Sequence, residues 1–151
     1  MLARDHELLL CHGNGPQVGL LAQEPTAGPL DVLVAQTQGM IGYWLTQALG
    51  NAGVAQPIVA LVTQVLVDAD DPAFTTPTKP VGPVLDERAA HALVRARGWS
   101  VARDGDGWRR VVASPEPLAV VELDTVLTLL AAGTLVVCGG GGGAPVVRDG
   151  D

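Results

Sequence analysis

Two glycine-rich turns, each preceded by a short apolar segment, are the features of the sequence that suggest chemistry. The first turn follows the run Glu7–Cys11, and the second follows Thr134–Cys138. In open α/β sheets, ligands bind beyond the carboxyl ends of strands, where backbone N–H groups converge. The turns therefore predict an anion site, with a plain reversal of the chain as the alternative. The candidate binding residues are Gly13, Asn14, Gly15, Gly139, Gly140, Gly141 and Gly142.

Lys79 is the only lysine in the chain, and it lies between Pro77 and Pro80. A lysine flanked by prolines is held on a semi-rigid segment, so it can present a compact positive charge to an anionic group. We take Lys79 as a candidate catalytic residue, with a solvated surface lysine as the equal alternative. Arg109 and Arg110 are interpreted as solvated.

Other chemical interpretations of the sequence are less favoured. His12 fits a packing histidine better than a catalytic base. The aspartates between residues 68 and 71 lack further ligands at EF-hand spacing, so we predict a solvated loop and no metal site. The string Gly139–Ala144 matches a dinucleotide fingerprint, but Pro145 follows it, and the given sequence ends before the acidic residue expected about 20 positions further on. A nicotinamide-binding domain is therefore a minor alternative.

The composition indicates a folded α/β domain with an aliphatic core. Apolar residues make up 48% of the 151 residues and aromatic residues only 3%, so aliphatic side chains must fill the core. The net charge of −7 disfavours nucleic acid and anionic membranes as partners, because both repel an acidic body. No apolar run reaches the roughly 18–20 residues of a membrane span, and we expect a cytoplasmic protein. Cys11 and Cys138 are expected to be buried small side chains.

The order of apolar segments and breakers predicts an α/β fold with an inserted subdomain. Residues 1–67 and 116–151 are expected to form the main body, and residues 68–115 the insertion, which opens with a stretch rich in proline and aspartate. Pro57–Val67 is expected to be one central strand buried on both faces. Two further strands are predicted at Glu7–Cys11 and Thr134–Cys138, and a hairpin at Trp99–Val112. One helix is predicted to begin at Pro16, and three more to span Asp31–Leu49, Asp86–Arg97 and Glu122–Ala132, the first of these three capped by Asp31.

Short motifs occur in order along nearly the whole chain. They are His12–Gly19, Pro29–Asp31, Thr37–Gly39, Ile41–Leu45, Thr63-Gln64, Val67-Asp68, Pro77–Pro80, Gly82-Pro83, Gly107–Arg109, Val111-Val112, Ser114-Pro115 and the glycine run with Pro145–Val147. Together they resemble one family, the carbamate kinases of the amino acid kinase superfamily.

The resemblance implies a three-layer α/β/α sandwich with a mostly parallel central sheet and a small protruding subdomain. It also implies reversible phosphoryl transfer between ATP and carbamate, giving ADP and carbamoyl phosphate in arginine fermentation. ATP or ADP with Mg, the small-molecule substrate and a second copy in a homodimer are the implied partners. By the same resemblance, Gly13 and Asn14 bind the carbamate or phosphoryl group, Lys79 reaches in from the subdomain, and Gly139–Gly142 approach the substrate with their N–H groups.

The same resemblance implies that the chain is the N-terminal half of such a protein. The family's first strand and Gly-Gly-Asn loop, its Asp-Lys-Asp segment, a further lysine and the adenine pocket are absent from this sequence. The alternative expectation is therefore a truncated, non-catalytic fragment that binds small anions or only dimerises.

Overall fold

A computed structural model describes residues 6–148 as a mixed α/β structure, which confirms the predicted fold class. The helices are α1 (Gly15–Leu21), α2 (Leu30–Asn51), α3 (Glu87–Arg97) and α4 (Leu123–Ala131). The strands are β1 (Leu9–Leu10), β2 (Ile58–Ala60), β3 (Gln64–Val67), β4 (Lys79–Leu85), β5 (Ser100–Asp104), β6 (Gly107–Val112), β7 (Pro117–Val120), β8 (Leu135–Val137) and β9 (Ala144–Val146).

Strands β1, β8 and β2 form a parallel sheet with β8 at its centre. Every residue of β8 is buried, as expected for a strand that is covered on both faces. On one face, Val136 and Cys138 pack with Val126 of α4. On the other face, α2 approaches so closely that a Cβ added to Gly42 would lie 2.7 Å from the Cβ of Ala60. Helices therefore lie on both faces of this sheet, as in a three-layer sandwich.

The prediction of one central strand over Pro57–Val67 is wrong. The chain leaves the first sheet after β2 and resumes as β3, which pairs with β9 in parallel and with β7 in antiparallel orientation. The apolar pattern continues across Leu61–Thr63, so composition alone gives no sign of the break. At the break a side chain from α2 bonds to the backbone of Thr63, as described below.

The second glycine turn consists of extra residues in one of two segments that pair in parallel both before and after it. Between the Ala60–Val137 pair and the Gln64–Ala144 pair, the first segment advances four residues and its partner advances seven. The three extra residues form the single 3-10 turn Gly140–Gly142. The glycine run therefore projects from the line of the strands at the edge where they end.

Strands β4, β6 and β5 form a separate antiparallel sheet with β4 at its edge. The hairpin of β5 and β6 is the predicted one, whereas β4 was missed because Pro80 and Pro83 argue against a strand. An edge strand tolerates prolines, because the N–H groups on its outer side need no strand partner. Asp86 is the N-cap of helix α3, and its carboxylate accepts a hydrogen bond of 2.7 Å from the N–H of Ala89. Gly98, with a φ of 64°, is the C-cap. The treatment of residues 68–115 as a separate subdomain stays a prediction.

Asp71 joins the two segments that connect this sheet to the main body. Its carboxylate accepts hydrogen bonds from the N–H of Ala73 at 2.8 Å and from the N–H of Glu116 at 2.9 Å. These two bonds favour the charged form and lower the pKa of Asp71 below its ordinary value. The carboxylate thus holds the outgoing and returning chain together.

Three smaller expectations are corrected by the structure. Pro29, not Asp31, is the N-cap of α2, and Asp31 lies in the first helical turn. Arg109 and Arg110 are partly buried rather than solvated: Arg109 Nε lies 2.8 Å from a carboxylate oxygen of Asp104. Cys11, expected to be buried, is exposed, whereas Cys138 is buried as predicted.

Helix α1 packs against β4 at a contact between two glycines. A Cβ added to Gly19 would overlap the backbone of Gly82, which itself has a φ of 76° that other residues resist. Because Gly15 begins α1 and Lys79 begins β4, this contact sets the distance between the first turn and the lysine.

We expect Gly19→Ala to lower the free energy of unfolding by about 1–3 kcal/mol, since an added methyl group in a packed contact forces the backbones apart. The matched control is Gly39→Ala in α2, where an added Cβ meets no atom within 4 Å. That control should raise stability by roughly 0.5–1 kcal/mol, because alanine has the higher helix propensity. Urea unfolding followed by circular dichroism measures both. Equal effects of the two substitutions would contradict the contact.

Candidate active site

The turn after β1 and the glycine run after β8 lie side by side, because β1 and β8 are hydrogen-bonded neighbours in a parallel sheet. The N–H of Gly141 donates to the carbonyl oxygen of His12 at 2.9 Å, which joins the two turns directly. Gly139 and Gly141 have φ angles of 66° and 63°, so the reversal depends on residues that accept a left-handed backbone. The two turns therefore meet at one edge of the sheet.

Asn14 stands at the centre of this meeting point and is 6% exposed. It precedes the first residue of α1, but its side chain does not cap the helix. The amide nitrogen donates instead to Thr37 Oγ1 at 3.0 Å, and the Thr37 hydroxyl donates to the carbonyl oxygen of Val34. A side chain at Gly141 would overlap the Asn14 amide. Asn14 is therefore held between α2 and the glycine run.

Gln38 forms a second buried connection from α2 to the same edge. Its Oε1 accepts from both the N–H and the hydroxyl of Thr63, and its Nε2 donates to the carbonyl oxygen of Thr63, all at 3.0–3.1 Å. The Thr63 hydroxyl oxygen in turn accepts from the N–H of Gly139 at 3.0 Å. Gln38 and Thr63 are 2% and 1% exposed. One glutamine therefore fixes the break between β2 and β3 and the start of the glycine run.

A cavity of about 130 Å³ opens between the two turns, α2 and β4. Lys79 reaches it from the edge strand and is the cationic side chain in its described lining, which also includes the buried Asn14. Apolar side chains such as Val81 and Pro145 form much of the remaining wall, and a wall of this kind strengthens electrostatic attraction inside the cavity. A positive charge, a neutral amide and small backbone residues suit a small anion. The polar and glycine lining consists of Asn14, Gly15, Asp31, Lys79, Gly141 and Gly143.

Known proteins resemble this chain in both sequence and structure. The chain is 45% identical to the carbamate kinase of Pyrococcus horikoshii over 163 residues, which covers 99% of the chain and 52% of that protein. It is 49% identical to the carbamate kinase of Haemophilus influenzae over 152 residues, which covers 96% and 49%. The solved structure of carbamate kinase from Giardia lamblia bound to AMP-PNP superposes with a TM-score of 0.79 and 40% identity, over 97% of the chain and 50% of that structure.

The chain is homologous to carbamate kinases. It spans about half the length of the carbamate kinases that it matches. No protein-family model matches the sequence. The agreement over nearly the entire chain confirms the resemblance that the ordered motifs indicated.

Within this carbamate kinase homologue, the predicted binding residues divide into two groups. The structure places Asn14, Gly15, Lys79 and Gly141 in the lining of the cavity, and Gly13, Gly139, Gly140 and Gly142 beside it. Their assignment to substrate stays a prediction in both groups.

The glycine N–H groups already serve the fold of the loop. Gly139 donates to Thr63, Gly141 to His12, and Gly142 to the carbonyl oxygen of Gly139. Gly140 is buried against the ring of His12, where a Cβ would lie 2.5 Å from the imidazole Cε1. His12 therefore packs against the loop, as its interpretation as a packing histidine requires. In this arrangement the glycines chiefly allow the backbone to pass close to side chains of the site.

Four site residues received no role from the sequence. Thr37, Gln38 and Thr63 lie in strings that resemble the family, but nothing local shows that they bond to the two glycine turns. Asp31 was interpreted as a helix cap, yet it lines the cavity as its one carboxylate. Polar residues within otherwise apolar helical or strand segments were the available signal, since buried polar groups need hydrogen-bond partners.

Cys138 follows β8 and leads into the glycine run. Burial raises the pKa of its thiol, with smaller contributions from Cys11 and Glu122, so the thiol stays neutral near pH 7. Among residues 6–148, no group of three or more His, Cys, Asp and Glu side chains is arranged to hold a metal ion. In the same residues, no helix is both long and apolar enough to cross a bilayer.

We expect Gln38→Met to lower the free energy of unfolding by roughly 3 kcal/mol or more. Methionine keeps the volume of the side chain but leaves the N–H and the hydroxyl of Thr63 without their acceptor, and each unpaired buried group costs about 1–3 kcal/mol. The Thr63 carbonyl keeps its bond from the N–H of Ala144. Gln36→Met is the control, because Gln36 is exposed on the same helix. Chemical denaturation of both variants measures the difference; a cost at Gln38 no larger than at Gln36 would refute the role of this connection.

Proposed function

We propose that this chain supplies the carbamate and phosphoryl half of a carbamate kinase active site, for reversible transfer between ATP and carbamate. The observation that carries the proposal is the cavity whose lining brings together Lys79, the buried Asn14 and residues of the glycine run. The homology to carbamate kinases supports it. The substrates are carbamate or carbamoyl phosphate, with ATP or ADP and Mg as the second substrate pair.

In the forward reaction a carbamate oxygen bonds to the γ-phosphorus of ATP while the bond from that phosphorus to the bridging oxygen of ADP breaks. Such a transfer needs alignment and neutralisation of the phosphoryl oxygens rather than a protein nucleophile. Lys79 supplies the positive charge, and Asn14 and Gly15 position the transferred group. Gly139–Gly142 shape the wall against which it lies. In the same proposal, Gly13 and Asn14 bind the carbamate.

The nucleotide and metal place different demands on the site. Asp31 is the one carboxylate in the described lining of the cavity, so these residues fit an anion and do not form a Mg²⁺ site. Mg²⁺ accordingly belongs with the nucleotide in this proposal. The carbamate kinase from Giardia lamblia was solved with AMP-PNP bound. We further propose that residues 68–115 form a subdomain that carries Lys79, and that the protein acts in the cytoplasm as a homodimer.

A second function, the binding of a small anion without turnover, is favoured by the cavity itself, whose described lining includes Lys79 and the buried Asn14. A chain with only the cavity around Lys79 would bind a small anion without turning it over. The two functions differ in whether a nucleotide binds.

We expect Lys79→Gln, made in an active protein that contains this chain, to lower the rate of ADP phosphorylation by carbamoyl phosphate. The loss should correspond to about 2–4 kcal/mol of transition-state stabilisation, as for the removal of a single well-placed donor. Arg88→Gln is the control, since it removes the same charge from an exposed position on α3. A Lys79 variant with an unchanged rate would remove Lys79 from the catalytic residues.

Isothermal titration calorimetry of the 151-residue chain distinguishes the two functions. The second function predicts saturable binding of carbamoyl phosphate and no heat with AMP-PNP. Saturable binding of AMP-PNP would exclude the second function and favour the kinase. Binding of neither ligand would contradict the anion site on which both functions rest and would leave only dimerisation from the alternative.

A further inference from the structure

A second cavity, of about 300 Å³, lies at the opposite end of α1 from the cavity around Lys79. Ala22 and the loop after α1 form one side, and the first turn of α2 forms the floor with Leu30 and Leu33. Arg97 enters from the end of α3, and Arg110 enters from β6. Nothing in the proposed reaction uses this cavity.

Two guanidinium groups share one aromatic ring at this cavity. The Arg110 guanidinium carbon lies 4.4 Å from the centroid of the Trp99 ring, and that of Arg97 lies 5.6 Å from it. Arg97 also donates to the carbonyl oxygens of Ala22 and Gln23, at 2.9 and 3.2 Å, where α1 ends. These contacts fix the positions of both cations.

The cations face the cavity without a carboxylate partner. In the part of the chain that the structure describes, the one ion pair between side chains joins Arg109 to Asp104, and it does not involve Arg97 or Arg110. Burial and the charge of Arg97 both lower the pKa of Arg110. A partly buried cation beside a like charge is unfavourable until an anion compensates it.

The first turn of α2 borders the same space. Pro29, the N-cap residue, offers no side-chain acceptor to the first N–H groups of this 22-residue helix. Such groups are unpaired within a helix and carry partial positive charge. Among the described residues of the lining, Glu24 is the one carboxylate, and it is exposed. The lining side chains therefore carry two positive charges and one negative charge.

We propose that the cavity bounded by Arg97, Trp99 and Arg110 binds a small polyvalent oxyanion, either a phosphate or a dicarboxylate. Planar guanidinium groups bind both kinds of oxyanion through paired hydrogen bonds. The anion bridges α3 and β6 to the first turn of α2. It thereby holds the sheet that carries Lys79 against the main body.

The test is a two-dimensional ¹H–¹⁵N NMR titration of the 151-residue chain, with inorganic phosphate in one arm and succinate in the other. The indole N–H signal of Trp99, identified with Trp99→Phe, should shift saturably in at least one arm, and the arm that saturates first identifies the anion class. The Trp44 and Trp108 signals serve as internal controls, since neither residue lines this cavity. Binding should weaken as NaCl is added, because salt screens charges. A Trp99 signal that does not move in either arm would overturn the proposal.

Four substitutions assign the binding to the cavity. Arg110→Gln should weaken it by about tenfold or more, as expected for loss of a charge-assisted bond. Arg95→Gln, which removes a charge from an exposed position on the same helix as Arg97, and Lys79→Gln, at the other cavity, should leave the affinity unchanged. Glu24→Gln should tighten binding several-fold, and because Glu24 is an exposed loop residue this result does not depend on how well the Arg110 variant folds. Equal losses in the Arg110 and Arg95 variants, or no tightening at Glu24, would contradict a specific site.

Discussion

The three hydrogen bonds between Gln38 and Thr63 are the interaction on which the site depends. A strand that breaks in the interior leaves backbone groups without ladder partners, and such groups are costly when buried. Gln38 supplies both a donor and an acceptor to Thr63, so the backbone of Thr63 stays paired where the chain leaves one sheet and enters another. The Thr63 hydroxyl donates to Gln38, and its oxygen accepts a hydrogen bond from the N–H of Gly139. Helix α2 thus determines the course of the strands as well as covering them.

Much of the fold could be predicted because it follows from local patterns. Breakers, caps and apolar runs located the four helices, the hairpin and the two strands that end in glycine turns. The break in Pro57–Val67 could not be predicted, because its cause is a glutamine 25 residues earlier in the chain. β4 was missed since its prolines argue against a strand unless the strand's place at a sheet edge is known. In both cases a tertiary contact overrode the local signal.

The candidate site could be predicted only as a set of separate motifs. Parallel strands made the approach of the two glycine turns predictable, whereas the position of Lys79 depends on the backbone contact of Gly19 with Gly82. The roles of Thr37 and Gln38 depend on which face of α2 meets the turns. Residues named for their own chemistry were thus easier to find than residues that position others.

The glycine run also makes the register of the second sheet sensitive to loop length. Its three extra residues lie between two strand pairs that are otherwise in step. In a strand, side chains alternate between faces, so a one-residue slip exchanges the two faces. If a deletion in the loop were absorbed by β9 rather than by the 3-10 turn, the buried Ala144 and the exposed Pro145 would trade environments. The number of residues in the glycine run therefore determines which side of β9 faces the interior.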